Sequence, residues 1–384
     1  MLDVKFIRNN SQKLKESLKN RNYNFDLDEF LDLDARWRKV KGEVEDLNAS
    51  QNRIDKDIKK IIKEKKDPSS KIGESKEIKS RIAALSEQFS SLDEKFKFYL
   101  ARIPNIPHES LPVGGAENNK VIKEPKSFRD FNFKPRDHIF LAETLDVIDF
   151  KRATKLTGSN FVLFKGWGAK LQRALINFML DLHTSSGKYK EIVPSKLVNR
   201  DSMFSTGQLP NLEEDMYRTS EDDLFLIPTA EVPITNIHRG EIIKEDKLPL
   251  YYTAYTPCFR REAGSYGKDT RGLLRVHEFD KIELVKFVKP EDSYRELEEL
   301  LSDACSVLDL LKLPYRVVLL ATGDISFAAA KCYDIELYAP GVDKWLEVSS
   351  CSNFEDFQAR RGNIRYKEKS TGKNLPLHTL NGSG

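Results

Sequence analysis

The 384-residue sequence predicts an α+β fold: an antiparallel sheet flanked by helices, preceded by an antiparallel helical coiled-coil arm. Three observations carry this expectation. Two apolar heptad runs follow one another between residues 31 and 100. Beyond residue 128, strand-like segments mix with amphipathic helical ones, as in an α+β domain. Within that region, residues 251–287 read as two extended segments joined by a polar loop, with charges where a sheet interior would be dry. The expected divisions are an N-terminal domain over 1–102, a linker over 103–127 and a mixed domain over 128–384.

The arm comes first. Trp37, Val40, Val44, Leu47, Gln51, Ile54, Ile58 and Ile61 are spaced 3-4-3-4-3-4-3. Asp67-Pro68-Ser69-Ser70 interrupts the run. It resumes at Ile78, Ile82, Leu85, Phe89, Leu92, Phe96 and Tyr99, spaced 4-3-4-3-4-3. Two heptad runs around a Pro/Ser turn predict an antiparallel hairpin. Arms of roughly 30 residues would each be about 45 Å long. No third run is available to bury the hairpin, so it is expected to project. Near its tip lie Lys56, Lys59, Lys60, Lys63, Lys65 and Lys66. Such a run is either a solvated helix face or a patch for a phosphate backbone; its place near the end of a long arm favours the patch.

Pro104, Pro107, Pro112 and Pro125, with Gly114-Gly115, predict no regular structure over 101–127. Residues 168–183 and 294–311 carry helical periodicity. Strands are predicted at 189–193, 224–227, 315–320, 333–338 and 345–349. No GxGxxG follows a strand and no GxxxxGK[ST] occurs, which argues against a Rossmann cradle and a P-loop. A net charge of +3 from 63 basic and 60 acidic residues leaves nucleic-acid binding to local patches. Cys258, Cys305, Cys332 and Cys351 are far apart and form no CxxC pair, which argues against a disulfide framework and a closed zinc site. A reducing, cytoplasmic setting fits. The N-terminus has no apolar signal core, and no run approaches the ~20 apolar residues of a membrane span. The six histidines need no special role.

Residues 251–259 are rich in aromatic and β-branched types, and 276–287 alternate apolar with charged residues, which predicts a half-buried strand. The intervening loop holds Gly264, Gly267, Gly272, Lys268, Arg271 and Arg275. Arg260, Arg261 and Glu262 end one strand, and Glu278 and Glu283 lie on the other. An unpaired buried charge is very costly, so this strand pair predicts a charged ligand.

These residues, with others in order along the chain, resemble the bacterial seryl-tRNA synthetases, which are class II aminoacyl-tRNA synthetases. The likeness spans the arm and the mixed domain. Gly187-Lys188-Tyr189-Lys190-Glu191-Ile192-Val193-Pro194 resembles class II motif 1. Phe259-Arg260-Arg261-Glu262 through Arg275-Val276-His277-Glu278-Phe279 resembles motif 2. Pro228-Thr229-Ala230-Glu231, Glu347-Val348-Ser349-Ser350-Cys351-Ser352-Asn353 and Gln358-Ala359-Arg360-Arg361 are similar to the serine-enzyme signatures.

The resemblance implies activation of L-serine by ATP to seryl-adenylate, then transfer to tRNA(Ser), with tRNA(Sec) as a second acceptor. It casts Arg260 as the ligand of the α-phosphate and Glu262 as the acceptor of the adenine amino group, the two catalytic residues. Arg261, Val276 and the run Glu347, Val348, Ser349 and Ser350 would complete the ATP site. Glu347 and Ser350 would also ligate Mg²⁺. Thr229, Ala230, Glu231, Arg260, Glu283, Asn381 and Ser383 would form the serine pocket. A pocket built to bond a hydroxyl would reject alanine, because its own polar groups would be left unpaired. Motif 1 implies a homodimer, and the basic arm of one subunit would grip tRNA bound to the other, by shape. The four cysteines read as structural, with Cys351 buried beside the metal-binding strand. Tyr338 and Phe354 depart from the family's usual Trp and Cys as packing changes. Leu380-Asn381-Gly382-Ser383-Gly384 resembles the start of motif 3, which leads to the expectation of a chain truncated there and poor at serine activation. Two other readings are a non-catalytic synthetase-derived RNA-binding protein and an amino-acid:carrier-protein ligase.

Overall fold

The structure, a computed structural model, describes residues 1–125, 127–128, 130–263 and 272–384. Gly264, Gly267, Lys268 and Arg271 of the predicted loop lie outside the described residues. The chain forms two units. One comprises Val4–Lys15 and Asn24–Ile103, the other Met1–Asp3, Glu16–Tyr23 and Pro104–Gly384. The segment Glu16–Tyr23 therefore groups with the C-terminal residues, apart from its sequence neighbours. Its ties there include Arg21, almost fully buried, whose guanidinium donates to the carbonyls of Ser326 and Ala329, and Asn20 O, which accepts from Thr322 Oγ1.

Two short helices, α1 (Val4–Asn9) and α2 (Ser11–Asn20), precede the hairpin of α3 (Leu27–Lys63) and α4 (Ser69–Leu100). The 37 residues of α3 make it about 55 Å long. Asp26 caps it by accepting from Glu29 N at 2.9 Å, and Lys60 and Lys63 sit in its last turn, where cations suit the helix dipole. The seam is aromatic at its base: Trp37 stacks on Phe96 at 4.7 Å, and Phe30 on the same ring at 5.5 Å. Trp37 Nε1 donates to Asp93 across the helices at 2.9 Å. Farther along, the buried Gln51 donates to the buried Ser75 at 2.8 Å. A polar pair in an apolar seam is a register device. It also explains why α4 begins nine residues before Ile78: the seam runs back through Ser75, which an apolar pattern does not register.

The second unit is built on an eight-stranded sheet. Its strands are β1 (Lys120–Lys123), β2 (Lys190–Glu191), β6 (Leu250–Phe259), β7 (Glu278–Val288), β8 (Tyr315–Leu319), β9 (Lys331–Ala339), β10 (Lys344–Asn353) and β13 (His378–Ser383), in the order β1-β8-β9-β10-β13-β7-β6-β2. All neighbours are antiparallel except β2 and β6, which are parallel. Smaller sheets hold β3 (Leu197–Asn199) with β4 (Leu224–Leu226), and β5 (Ile242–Lys244) with β11 (Arg365–Lys367) and β12 (Asn374–Pro376). The helices are α5 (His138–Thr144), α6 (Phe150–Thr157), α7 (Trp167–Thr184), α8 (Arg200–Thr206), α9 (Glu231–Asn236), α10 (Ser293–Leu311) and α11 (Phe357–Gly362).

Two sequence expectations need correction. The region 101–127 is not free of regular structure: β1 pairs with β8 at the sheet edge. The prolines flank Lys-Val-Ile-Lys without entering it, and an exposed edge strand of four residues needs no apolar run. The segment 276–287 is not half-buried throughout. The strand starts at Glu278, and every residue from Ile282 to Val288 is buried. It is an interior strand of the sheet, between β13 and β6, with helices packed on it. Its two buried charges, Glu283 and Lys286, therefore need partners inside the protein. Lys286, with 0% exposure, donates to Glu296 Oε2 on α10 at 3.0 Å.

Candidate active site

Sheet register assembles the site. On β7, Glu283 lies opposite Ser383 of β13 and Ala254 of β6. On β10, Ser350 lies opposite Asp334 of β9. Cys351 of β10 registers with Gly382, so Ser350 and Ser383 are next to one another. One row across the sheet thus carries Asp334, Ser350, Ser383 and Glu283. Glu347 reaches the same face only because of an irregularity. Residues three apart on a strand point to opposite faces, but the β9–β10 register slips between Glu347 and Ser349. Glu347 pairs with Glu336 and Ser350 with Asp334, two partners of like parity. The extra residue, Val348, is exposed. This β-bulge re-aims a side chain at a site, a common use of bulges.

Around Glu283 the chemistry is ionic and dry. Its side chain is 1% exposed. Thr229 Oγ1 donates to Glu283 Oε2 at 2.8 Å, and Lys281 Nζ stands 2.5 Å from the same oxygen. Glu283 Oε1 has no partner among the described residues although it is buried. A buried acceptor left unpaired is costly, and this one suits a cationic ligand group. Thr229 Oγ1 also accepts from Glu231 N at 3.1 Å, which fixes the start of α9. Glu231 is buried, and its carboxyl is pushed up to about 7, first by burial and then by the charge of Glu283. Ala230 makes no polar side-chain contribution: its methyl is in the apolar cluster with Ile234, Tyr252 and Val285.

The end of β6 supplies the arginine. Arg260 Nε donates to Pro228 O at 3.3 Å, and the guanidinium lies 5.1 Å from the Phe279 ring centre. Its neighbour Arg261 is exposed. Glu262 has φ +51°, a left-handed conformation costing a non-glycine residue about 1 kcal/mol. It is held by flanking bonds: Arg261 N and Ala263 N both donate to Asp215, each at 2.9 Å. Arg275 Nη1 meets the Glu262 carboxylate at 3.0 Å. Val276 follows directly, in half-buried backbone ahead of β7.

Donors for a divalent cation are oxygens. Asp334 is pushed up to about 7, first by burial and then by the charge of Glu347. Loss of water around its own carboxyl holds Glu347 above the usual carboxylate range, against the pull of Arg260. Crowded carboxylates beside the Ser350 hydroxyl fit a hard cation. Among the described residues no cluster of three or more His, Cys, Asp or Glu is arranged to hold a metal, so the remaining ligands would be phosphate oxygens. Ser349 Oγ instead donates to Ser383 O at 2.8 Å, a bond between β10 and β13. Asn381 registers with Val285 on β7. Cys258, Cys305, Cys332 and Cys351 are free and buried.

Of the expected site residues, Glu283, Glu347, Ser350 and Ser383 lie on strands of one sheet, Arg260 just past the end of β6, and Thr229 and Glu231 at the start of α9, joined to the sheet by the bond from Thr229 to Glu283. Lys56, Lys59, Lys60 and Lys63 near the end of α3, with Lys65 and Lys66 in the turn, belong to the other unit, and all six are exposed. Sequence reasoning gave no role to Asp215, Lys281, Asp334 or Gln358. Asp334 sat in a predicted strand opposite the Glu347 segment, which was its available signal.

An antiparallel sheet with Arg260 past the end of β6, Glu283 on the adjacent β7 and the carboxylates of Asp334 and Glu347 on β9 and β10 fits a class II aminoacyl-tRNA synthetase core. The family model "tRNA synthetase class II core domain (G, H, P, S and T)" matches residues 213–383, and "Seryl-tRNA synthetase N-terminal domain" matches residues 1–107. Serine–tRNA ligases of Thermodesulfovibrio yellowstonii and Geotalea uraniireducens are 51% and 52% identical across the whole chain, which spans 91% of each. The crystal structure of seryl-tRNA synthetase from Pyrococcus horikoshii complexed with ATP is similar with a TM-score of 0.89 at 37% identity, over 100% of this chain and 91% of that one. The chain belongs to the seryl-tRNA synthetase family. No described helix is long and apolar enough to cross a membrane.

Proposed function

We propose that the protein activates L-serine with ATP and transfers the seryl group to tRNA(Ser), with tRNA(Sec) as a further acceptor. The observation that carries the serine pocket is the buried Glu283 Oε1, without a partner among the described residues, beside Thr229 and Ser383. Glu283 and Glu231 receive the α-ammonium, and the hydroxyls of Thr229 and Ser383 read the substrate hydroxyl, with Asn381 lining the pocket. Arg260, its fork oriented by Pro228 O, binds the α-phosphate. Glu262 accepts from the adenine amino group beside Val276, and Arg261, Val348 and Ser349 complete the nucleotide site. Glu347 and Ser350 would hold Mg²⁺, which supplies charge neutralisation to the triphosphate.

The serine carboxylate oxygen attacks the α-phosphorus, the bond to the β-phosphate bridging oxygen breaks, and pyrophosphate leaves. The protein forms no covalent bond. It holds carboxylate and phosphate in line and offers fixed positive charge where charge spreads in the transition state. A terminal ribose hydroxyl oxygen of tRNA then attacks the adenylate carbonyl carbon, the bond from that carbon to the phosphate oxygen breaks, and AMP leaves as its phosphate takes up the hydroxyl proton.

The hairpin serves tRNA in this reading, through the exposed lysines at the end of α3. The dimer forms through motif 1 and α7. Trp167, Leu171 and Val193, exposed at 75%, 61% and 80%, support that, since an interface there would take these large apolar side chains out of water. The buried free cysteines suit a cytoplasmic setting. Neither the carrier-protein ligase nor the non-catalytic reading is favoured, because the likeness to serine–tRNA ligases runs through both units. The test is ATP–pyrophosphate exchange with serine, alanine and threonine, followed by aminoacylation. Exchange driven equally by alanine would refute the serine pocket. Removing residues 37–99 is expected to spare exchange and abolish transfer; equal aminoacylation would refute the role of the arm.

A further inference from the structure

One buried polar side chain at the edge of the site is used by no step above. Gln358, on α11, is 1% exposed. Its Nε2 donates to Glu231 Oε1 and to Thr206 O, the latter at 3.2 Å. Its Oε1 accepts from Thr379 Oγ1 at 2.7 Å. The amide orientation follows from these partners: a flipped amide would set its oxygen against both the Thr206 carbonyl and the Glu231 carboxylate. Thr379, fully buried, lies on β13, the strand that ends in Ser383. One oxygen of Glu231 is thus committed to the protein, and among the described residues none donates to the other.

We propose that Gln358 is a positioning residue for amino-acid recognition: with Thr379 it holds Glu231 in the rotamer that presents its second oxygen to the serine ammonium, and ties that carboxylate to the strand carrying Ser383. The inference rests on the serine-pocket reading. Charge makes the bond matter. The charge of Glu283 disfavours the Glu231 carboxylate, and those of Lys281 and Arg260 favour it. A carboxylate deprived of its donor in such a site turns away or takes up a proton. Either response removes the partner of the ammonium and leaves the nucleotide contacts of Arg260 and Glu262 in place.

The experiment is calorimetric titration of the full chain with two probes, ATP and a non-hydrolysable seryl-adenylate in which a sulfamoyl ester replaces the phosphate. Gln358→Leu is expected to weaken the seryl-adenylate analogue tenfold or more and to leave ATP within twofold. Thr379→Val, nearly isosteric, is expected to weaken the analogue about threefold, and it keeps the idea testable where Gln358→Leu does not fold. Thr379→Ser, which retains the hydroxyl, should restore wild-type affinity. Equal losses for both probes, or no loss for the analogue, would overturn the role of Gln358. A wild-type protein that bound the analogue no better than ATP would instead overturn the serine pocket itself.

Discussion

Replacing Lys286 with methionine tests how this sheet tolerates charge at its centre. Lys286 is fully buried on β7, and its Nζ donates to Glu296 Oε2 at 3.0 Å and to Glu296 O at 3.1 Å. Tyr251 OH donates to the same carboxylate oxygen at 2.7 Å, and Arg295 Nη2 lies 3.2 Å from the other. Breaking a buried pair by removing one partner costs about 3–5 kcal/mol, because the remaining charge is buried without compensation. Tyr251 and the more exposed Arg295 stay with Glu296, so Lys286→Met is expected at the lower end, about 3 kcal/mol. That is about a hundredfold in the folding equilibrium. The double variant Lys286→Met/Glu296→Met removes both charges and should recover most of the loss, since an apolar pair of similar volume often matches a buried ion pair. Urea denaturation, followed by tyrosine and tryptophan fluorescence, gives the midpoints for the wild type, both single variants and the double. A loss below about 0.5 kcal/mol for Lys286→Met, inside the range of ordinary surface substitutions, would refute the reasoning. So would a double variant no more stable than the single.

Three further outcomes are expected. Arg260→Ala should lower serine-dependent pyrophosphate exchange about 10²–10³-fold, the usual effect of removing one preorganised donor to developing charge; a loss under tenfold would dismiss its phosphate role. Glu231 has a folded value of about 7 against an ordinary 4.5, so the folded state binds more protons between those values. Its contribution to stability is present below 4.5 and lost as pH rises through 7, by about 3 kcal/mol at most. Glu231→Gln should flatten that part of the melting profile, and wild-type kcat/KM for serine should fall as pH drops below about 7. Replacing Lys56, Lys59 and Lys60 together with alanine should weaken tRNA binding and lower the slope of log affinity against log salt by about 2–3, read by filter binding at several salt concentrations; an unchanged slope would remove these lysines from the phosphate contact.

How much was legible varied with the kind of signal. The hairpin was readable because a coiled-coil seam is a local, periodic demand on residue type, and Trp37, Val40 and Ile54 declare it. Its first turns on α4 were not, since Ser75 occupies a seam position that hydrophobicity alone does not mark. Short helices such as α8, α9 and α11 were missed because six or seven residues display no full amphipathic repeat. β1 was missed because an exposed edge strand has no apolar face to announce. In the site, Arg260, Glu262 and Glu283 stood out as charges on strands. Asp334 did not, since a carboxylate on a strand is ordinary in sequence; Gln358 stood in a signature motif but without a role, because its partners Glu231 and Thr379 lie elsewhere in the chain.

The sequence by itself determined the α+β class, the helical hairpin and the family, because these rest on periodicity and on ordered motifs along the chain. Only the tertiary structure decided which charges share a face. The slip in register at Val348 turns Glu347 toward Ser350, and the β7–β13 pairing brings Ser383 opposite Glu283. Burial also divides the charges of β7 by role: Lys286 is neutralised on one face by Glu296, whereas Glu283, on the other, keeps one oxygen without a partner among the described residues. Register and burial are set by contacts between segments distant in sequence. A residue's own letter and spacing therefore cannot specify them.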